Sequence, residues 1–75
     1  MKVYIVLMGK DLTYASKDYE DAQYEKETTE EENLLGRKLG VKLHEVEIDM
    51  NNLEQVFKYN GGVQITAREI VEFME

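Results

Sequence analysis

The segment 11–32 carries the whole net charge of this chain, and it restricts the possible folds more than any other feature. It contains nine acidic residues and two lysines, whereas the acidic and basic residues outside it cancel and leave the chain at −7. Like charges at this density repel one another, so a compact arrangement of the segment is costly. Ser16 can cap a helix here, but the apolar face that would follow is weak. We therefore predict that this stretch is part helix and part mobile loop.

The chain is short for a self-supporting core. Seventy-five residues make a single domain, 1–75, and a core of this size rarely supplies more than about 3–5 kcal/mol. The chain has no cysteine, which excludes disulfides, cysteine-based zinc sites and thiol catalysis.

The composition also predicts where the protein works. No apolar run approaches the roughly 20 residues of a membrane span, and the apolar start, Val3–Met8, is followed by no small-residue cleavage site. We therefore expect a soluble, cytoplasmic protein. Its negative charge argues against direct binding to nucleic acids or anionic membranes, because both are also negative.

Two elements are predicted in the first half of the chain. Val3–Met8 is an unbroken apolar run closed by Gly9, which predicts a strand buried on both faces. Thr28 and Thr29 are each followed three residues later by a glutamate, which is capping-box spacing. This pattern predicts a helix that runs through three leucines to Gly40, where a left-handed glycine ends it.

A second strand is predicted over Val41–Asp49. His44, Val46 and Ile48 alternate with acidic residues, but Val41 lies on the opposite parity. The change of parity predicts either a bulge or a change of burial near His44.

The segment 53–66 fits either a helix or a hairpin. A hairpin that turns at 60–62 places Tyr59 opposite Val63 and Phe57 opposite Ile65. We favour the hairpin because this register sorts apolar from polar side chains. Thr66, with a glutamate three residues later, then begins a last helix with an apolar stripe.

The predicted fold class is α/β, a small mixed sheet of about four strands with helices packed on it. The element order is strand, helix, strand, strand, strand, helix. A strand–helix–strand crossover predicts that the first two strands are parallel.

Two segments resemble glutaredoxins. The run Leu34-Leu35-Gly36-Arg37-Lys38-Leu39-Gly40-Val41, followed by Glu45-Val46-Glu47-Ile48-Asp49, is similar to the family's first helix end and second strand. The short segments Gln55-Val56-Phe57 and Asn60-Gly61 are similar to its "PQVF-NG" hairpin. The resemblance covers about two thirds of the chain and implies a thioredoxin-type fold, with an acidic insertion at about 11–32.

The sequence departs from that family at its active site. Leu12 and Ala15 stand where the family has its two cysteines, and Glu54 stands where it has a cis-proline. Thr66 and Ala67 replace the paired glycines that hold glutathione. The resemblance therefore implies the fold without thiol chemistry.

The acidic, tyrosine-bearing segment is the main candidate site. It is either a solvated surface that keeps the protein soluble, a docking surface for a basic partner, or a calcium site. The segment lacks the residue spacing of a calcium-binding loop, which argues against a calcium site. Tyrosine supplies apolar contact area at low entropy cost, which favours docking. The predicted partner-binding residues are Tyr14, Asp18, Tyr19, Glu20, Asp21, Tyr24, Glu25, Glu27, Glu30, Glu31 and Glu32.

His44 is the only histidine, and two glutamates lie near it in the sequence. Neighbouring strand residues point to opposite faces, so His44 is separated from Glu45 and Glu47. We predict a partly buried, hydrogen-bonded histidine and no metal site.

The sequence thus predicts a non-catalytic acidic binding protein, an inhibitor or adaptor that docks on a basic partner. A nucleic-acid-binding protein is such a partner, and the chain would then be a DNA mimic of the phage or mobile-element type. The alternatives are a self-associating structural domain and a carboxylate- or metal-dependent enzyme. We predict no catalytic residues, cofactor or metal, and a monomer or homodimer.

Overall fold

The first strand of the chain lies in the middle of a three-stranded sheet. The structure, a computed structural model, describes residues 1–32 and 40–75. Within these ranges the chain forms an α/β fold of five strands and two helices, with two antiparallel sheets of order β2-β1-β3 and β4-β5. The elements are β1 (Lys2–Met8), β2 (Asp11–Ser16), α1 (Tyr19–Glu32), β3 (Val41–Glu47), β4 (Val56–Tyr59), β5 (Val63–Thr66) and α2 (Ala67–Met74).

β1 is buried on both faces, as its unbroken apolar run predicts. Val3 and Ile5 face one side of the sheet and Val6 faces the other, and all three are 0% exposed. Both faces of the sheet therefore need a covering layer. α1 covers the side of Val6, and the β4–β5 hairpin with α2 covers the side of Val3 and Ile5.

The predicted parallel pairing of the β1 strand with the strand that begins at Val41 is wrong. β1 and β3 run antiparallel, with Met8 opposite Val41. The reason is β2, which returns the chain along β1 and is missing from the predicted order. By Gly40 the chain is again beside the β1–β2 turn, where the Gly9 N–H donates to the Gly40 carbonyl at 3.1 Å. Two antiparallel sheets, of three and two strands, therefore replace the single mixed sheet of about four strands.

We predicted that the acidic segment is part helix and part mobile loop; α1 confirms the helical part, whereas the loop part is wrong because residues 11–16 form β2. Gly9 has a φ of 63° and opens a two-residue turn that brings the chain back along β1. The Thr13 hydroxyl donates to the Val6 carbonyl at 3.1 Å, and the register shifts between Val6 and Leu7. Pairing with β1 orders a stretch whose own apolar pattern is weak.

α1 begins earlier than the capping boxes predict. The Asp18 carboxylate accepts the N–H of Glu20 at 2.9 Å, so Asp18 rather than Ser16 caps the helix. Ser16 instead accepts the N–H of Asp18 at 3.0 Å. Thr28 and Thr29 lie inside α1 and do not begin a helix. Acidic side chains in the first turn favour the earlier start, because the helix dipole is positive there.

The predicted helix residues Leu34, Leu35 and Leu39 lie outside the described residues. Gly40 is described and has a φ of 82°, so its predicted left-handed conformation is confirmed.

The structure of β3 decides between the bulge and the change of burial that were predicted near His44. Its pairing with β1 is continuous, so the strand contains no bulge. Val41 packs with Val6 on the α1 side, and Val46 packs in the core on the other side. The prediction of a change of burial is therefore confirmed.

The hairpin prediction for 53–66 is confirmed in its register. Tyr59 pairs with Val63, Phe57 pairs with Ile65, and the turn glycines have positive φ. Val63 and Ile65 are buried, so this hairpin closes the larger core.

Thr66 begins α2 as predicted. Its hydroxyl oxygen accepts the N–H of Glu69 at 3.1 Å, and the Glu69 carboxylate lies 3.2 Å from that hydroxyl. Ile70 points into the core and is 0% exposed, whereas Phe73 is 45% exposed.

Candidate functional site

The outward side of α1 presents one row of acidic and aromatic residues. Four exposed residues with spacings of four, three and four share this side, because such spacings lie one above another on a helix. We call them the outer row; they are Glu20, Tyr24, Glu27 and Glu31. The row extends about 16 Å along the helix at about 1.5 Å per residue. Tyr24 is 65% exposed, which makes it the most exposed large apolar side chain of the row.

The only base of α1 is turned away from the outer row. Lys26 lies towards the sheet, its side chain is 25% exposed, and its ammonium group pairs with Glu30 at 2.6 Å. Ala22, the one fully buried residue of α1, lies on the same side. The outer row is therefore anionic without an interspersed base.

Tyr19 adds a second exposed ring near the start of α1. It is 51% exposed, and its ring meets that of Tyr4 edge to face, with centroids 5.3 Å apart and planes at 76°. Tyr4 also approaches Glu45 on β3, with its hydroxyl 3.5 Å from the carboxylate. This contact fixes the orientation of Tyr19 against the sheet.

Tyr14 joins β2 to α1 and is not a free docking residue. Its hydroxyl donates a hydrogen bond to the carboxylate of Asp21. That bond, together with burial and the nearby carboxylates, raises the pKa of Tyr14 to about 12. The pair holds the first turn of α1 on the edge of the sheet.

The structure thus divides the predicted partner-binding residues into groups. Four of them, three acids and one tyrosine, form the outer row. Asp18 and Tyr19 are exposed at the start of α1. Glu25 and Glu30 are half-buried on the sheet side. The remaining predicted residues are Glu32, which is exposed, and the bonded pair Tyr14 and Asp21.

His44 is half-buried, as predicted, but the predicted hydrogen bond is not formed among the described residues, and its ring instead stacks on that of Tyr59. The centroids are 4.1 Å apart and the planes meet at 23°. Burial, with a smaller effect of Lys42, lowers the pKa of His44. Glu45 and Glu47 lie on the opposite face, where they pair with Lys2 and the N-terminus, each at 3.2 Å. In residues 1–32 and 40–75, no three histidine or acidic side chains are placed to hold a metal ion.

The sequence analysis missed a basic cleft. It has a volume of about 400 Å³ and lies between the β1–β2 turn, the start of β3 and the hairpin turn. Lys10, Lys42 and Lys58 line it, although they are far apart in the sequence. The signal that could have found it is the position of Lys10 and Lys58 beside glycine turns, outside the acidic helix.

Among the described parts of the chain, no helix has the length and apolar character needed to cross a bilayer.

Comparisons with protein-family models, with curated proteins and with solved structures found no match to this chain. The resemblance to glutaredoxins therefore stays a prediction.

Proposed function

We propose that this chain is a non-catalytic binding protein that docks the outer row of α1 on a basic partner protein. The observation that carries the proposal is the separation of charge within α1. Three acids and Tyr24 form the outward-facing outer row, while the single lysine faces the sheet and is paired.

The energetics of α1 support docking over a role in solubility alone. Glu27 and Glu31 lie four residues apart, and such a like-charged pair destabilises a helix by about 0.2–0.5 kcal/mol. A surface that only needs to stay hydrated can alternate acids with bases and avoid this cost. A cationic partner removes the repulsion when it binds.

The exposed tyrosine rings supply apolar contact area, which charged side chains alone do not. Tyr24 stands between acids, and Tyr19 is held in place by Tyr4. Rigid tyrosines within a charged rim are typical of binding hot spots, because they bury apolar area while the surrounding charges steer the encounter. Both properties fit an inhibitor or adaptor.

The partner class that we propose is a nucleic-acid-binding protein, with the protein acting in the cytoplasm as a DNA mimic. Carboxylates along one helix offer a basic groove the same sign of charge that phosphates offer. The function that we propose is therefore that of a regulator of the phage or mobile-element type. The resemblance to glutaredoxins concerns the scaffold alone, because the chain has no cysteine for thiol chemistry.

The first test captures the partner from the source cells. A photo-crosslinking amino acid replaces Tyr24 in one variant and the exposed Phe73 of α2 in a matched control. We expect position 24 to capture a basic protein that position 73 does not, and high salt to abolish the capture.

The second test uses the purified captured partner and two variants of equal net charge. Glu20→Gln/Glu27→Gln neutralises two acids of the outer row, and Glu72→Gln/Glu75→Gln neutralises two exposed acids elsewhere. We expect the first pair to weaken binding about three- to tenfold and the second pair less than about twofold. Equal weakening by both pairs would refute docking through the outer row.

Self-association is the second candidate function. Val56 is 48% exposed on β4 and Phe73 is 45% exposed on α2. Strand edges and exposed apolar side chains favour pairing of two copies. Sedimentation at low and high protein concentration decides, since a monomer at both concentrations removes this candidate.

A further inference from the structure

The basic cleft lies on the side of the central sheet that faces away from α1. Lys42 and His44 of β3 are paired with Leu7 and Ile5 of β1, and both apolar residues face the larger core. The cleft is therefore separated from the outer row by the whole sheet. Its position makes it independent of the proposed docking function.

The cleft gathers bases that have no acidic partner. Lys10, Lys42 and Lys58 are exposed, and within the described residues none of them forms an ion pair. In the described ranges 1–32 and 40–75, no aspartate or glutamate lines the cleft. By contrast, Lys2 and Arg68 each pair with a glutamate, at 3.2 and 2.7 Å. In a chain with a net charge of −7, three unpaired lysines around one concave site focus a local positive potential.

The walls of the cleft offer rings and apolar side chains as well as charge. His44 and Tyr59 are stacked and half-buried, and Leu7 and Val63 are buried beneath them. Burial, with a smaller effect of Lys42, lowers the pKa of His44 and so favours its neutral ring. A neutral aromatic pair beside lysines suits a ligand with a flat part and an anionic part.

We propose that this cleft binds a small phosphorylated molecule with a planar ring, of the mononucleotide class. Lysine ammonium groups are common phosphate ligands and bind the phosphate group as point charges. The volume of about 400 Å³ lies within the usual range for small-molecule sites. The phosphate would lie among the lysines and the ring against the His44–Tyr59 pair.

The test is a titration of the isotope-labelled protein, followed through its amide resonances. The probes are the four common ribonucleoside monophosphates, with the matching nucleosides and inorganic phosphate as separate arms. We expect at least one monophosphate to shift the amides of Gly9, Gly61 and Val63 until they saturate. The nucleosides should give no saturation, and inorganic phosphate should bind more weakly than the monophosphate.

Three variants, each of which removes one positive charge, distinguish binding in the cleft from nonspecific electrostatic attraction. Lys42→Gln and Lys58→Gln each remove one positive charge from the cleft, whereas Lys17→Gln removes an exposed one outside it. We expect the first two to raise Kd about three- to tenfold and the third to change it by less than about twofold. All three lysines are exposed, so the fold should be retained, and the amide spectrum checks this.

Three outcomes would overturn the proposal. The first is the absence of saturable shifts with every monophosphate. The second is equal weakening by Lys17→Gln, which would show attraction to charge without a site. Inorganic phosphate binding as tightly as a monophosphate would remove the ring from the ligand class.

Discussion

The two faces of the β2-β1-β3 sheet are built in different ways. Within the described residues, the α1 face buries Val6, Ala22 and Val41, whereas the opposite face buries a cluster three times as large. The larger cluster contains residues of β1, β3, β5 and α2. The comparison teaches that, among the described residues, the hairpin face supplies most of the buried apolar side chains, while α1 packs on fewer of them and presents charged residues on its outward side.

The charges of the two faces also differ in sign. α1 carries the outer row of acids on one side of the sheet, and the basic cleft lies on the other. At about 0.1 M salt the Debye length is about 10 Å, so exposed charges on the two sides largely act separately. The molecule can therefore present an anionic surface and bind an anion at the same time.

The largest expected effect is on the hairpin face. Ile5→Ala removes a side chain that is 0% exposed and should lower the free energy of unfolding by about 2–5 kcal/mol. Val41→Ala on the α1 face should cost only about 1.5 kcal/mol, because two methyl groups are lost at a smaller cluster. Urea unfolding followed by circular dichroism measures both. Equal losses would contradict the division of stability between the faces.

The next effect concerns the contact that holds α1 to β2. Tyr14→Phe removes the hydrogen bond to Asp21 and should lower the free energy of unfolding by about 1 kcal/mol. The pKa of Tyr14 is raised to about 12 in the folded protein, so this stabilisation is present below pH 10 and is lost between pH 10 and 12. A tyrosinate absorbance titration should show that Tyr14→Phe removes the tyrosine that ionises near pH 12, while Tyr59, whose pKa burial also raises, still ionises late in both proteins.

Salt should stabilise the protein through the α1 face. Asp21 with Glu25, and Glu27 with Glu31, are like-charged pairs four residues apart. Screening them should raise the free energy of unfolding by about 0.5–1 kcal/mol between low and moderate salt. Glu27→Gln should reduce this gain, whereas Glu72→Gln on α2 should leave it unchanged. A salt response that Glu27→Gln does not alter would place the repulsion elsewhere.

The smallest effect is expected at His44 on the hairpin face. Its pKa is lowered in the folded state, so the unfolded chain takes up the proton first as the pH falls. The contribution of neutral His44 to the free energy of unfolding is therefore fully present above pH 6.5. It is lost as the pH falls from there through the lower pKa of the folded state. His44→Gln should unfold with a flatter pH dependence between pH 7 and 5. An unchanged slope would show that His44 is not desolvated.

On the hairpin face, the strand register and the helix cap could be predicted from the sequence. The register of Phe57 with Ile65 follows from the glycine turn, and the Thr66 cap follows from Glu69 three residues later. These features depend on neighbours in the chain. The burial of β1 was also readable, because an apolar residue at each position needs cover on both faces.

What the sequence did not reveal depends on distant partners. β2 is ordered by pairing with β1, and Leu12, Tyr14 and Ser16 have no apolar pattern strong enough to predict it. Thr28 and Thr29 match a helix start as well as Asp18 does, and the contact of Ala22 with the sheet selects the earlier start. The basic cleft assembles three separate segments, so no local motif marks it.

The most direct test of the account is a map of where the purified captured partner covers the protein. The amide resonances of the labelled chain are followed as the partner is added at low salt. The account predicts that Glu20, Tyr24 and Glu27 change or broaden while Gly61 and Val63 of the hairpin stay in place. Changes centred on the hairpin, with α1 unaffected, would contradict the claim that this protein works through its acidic helix.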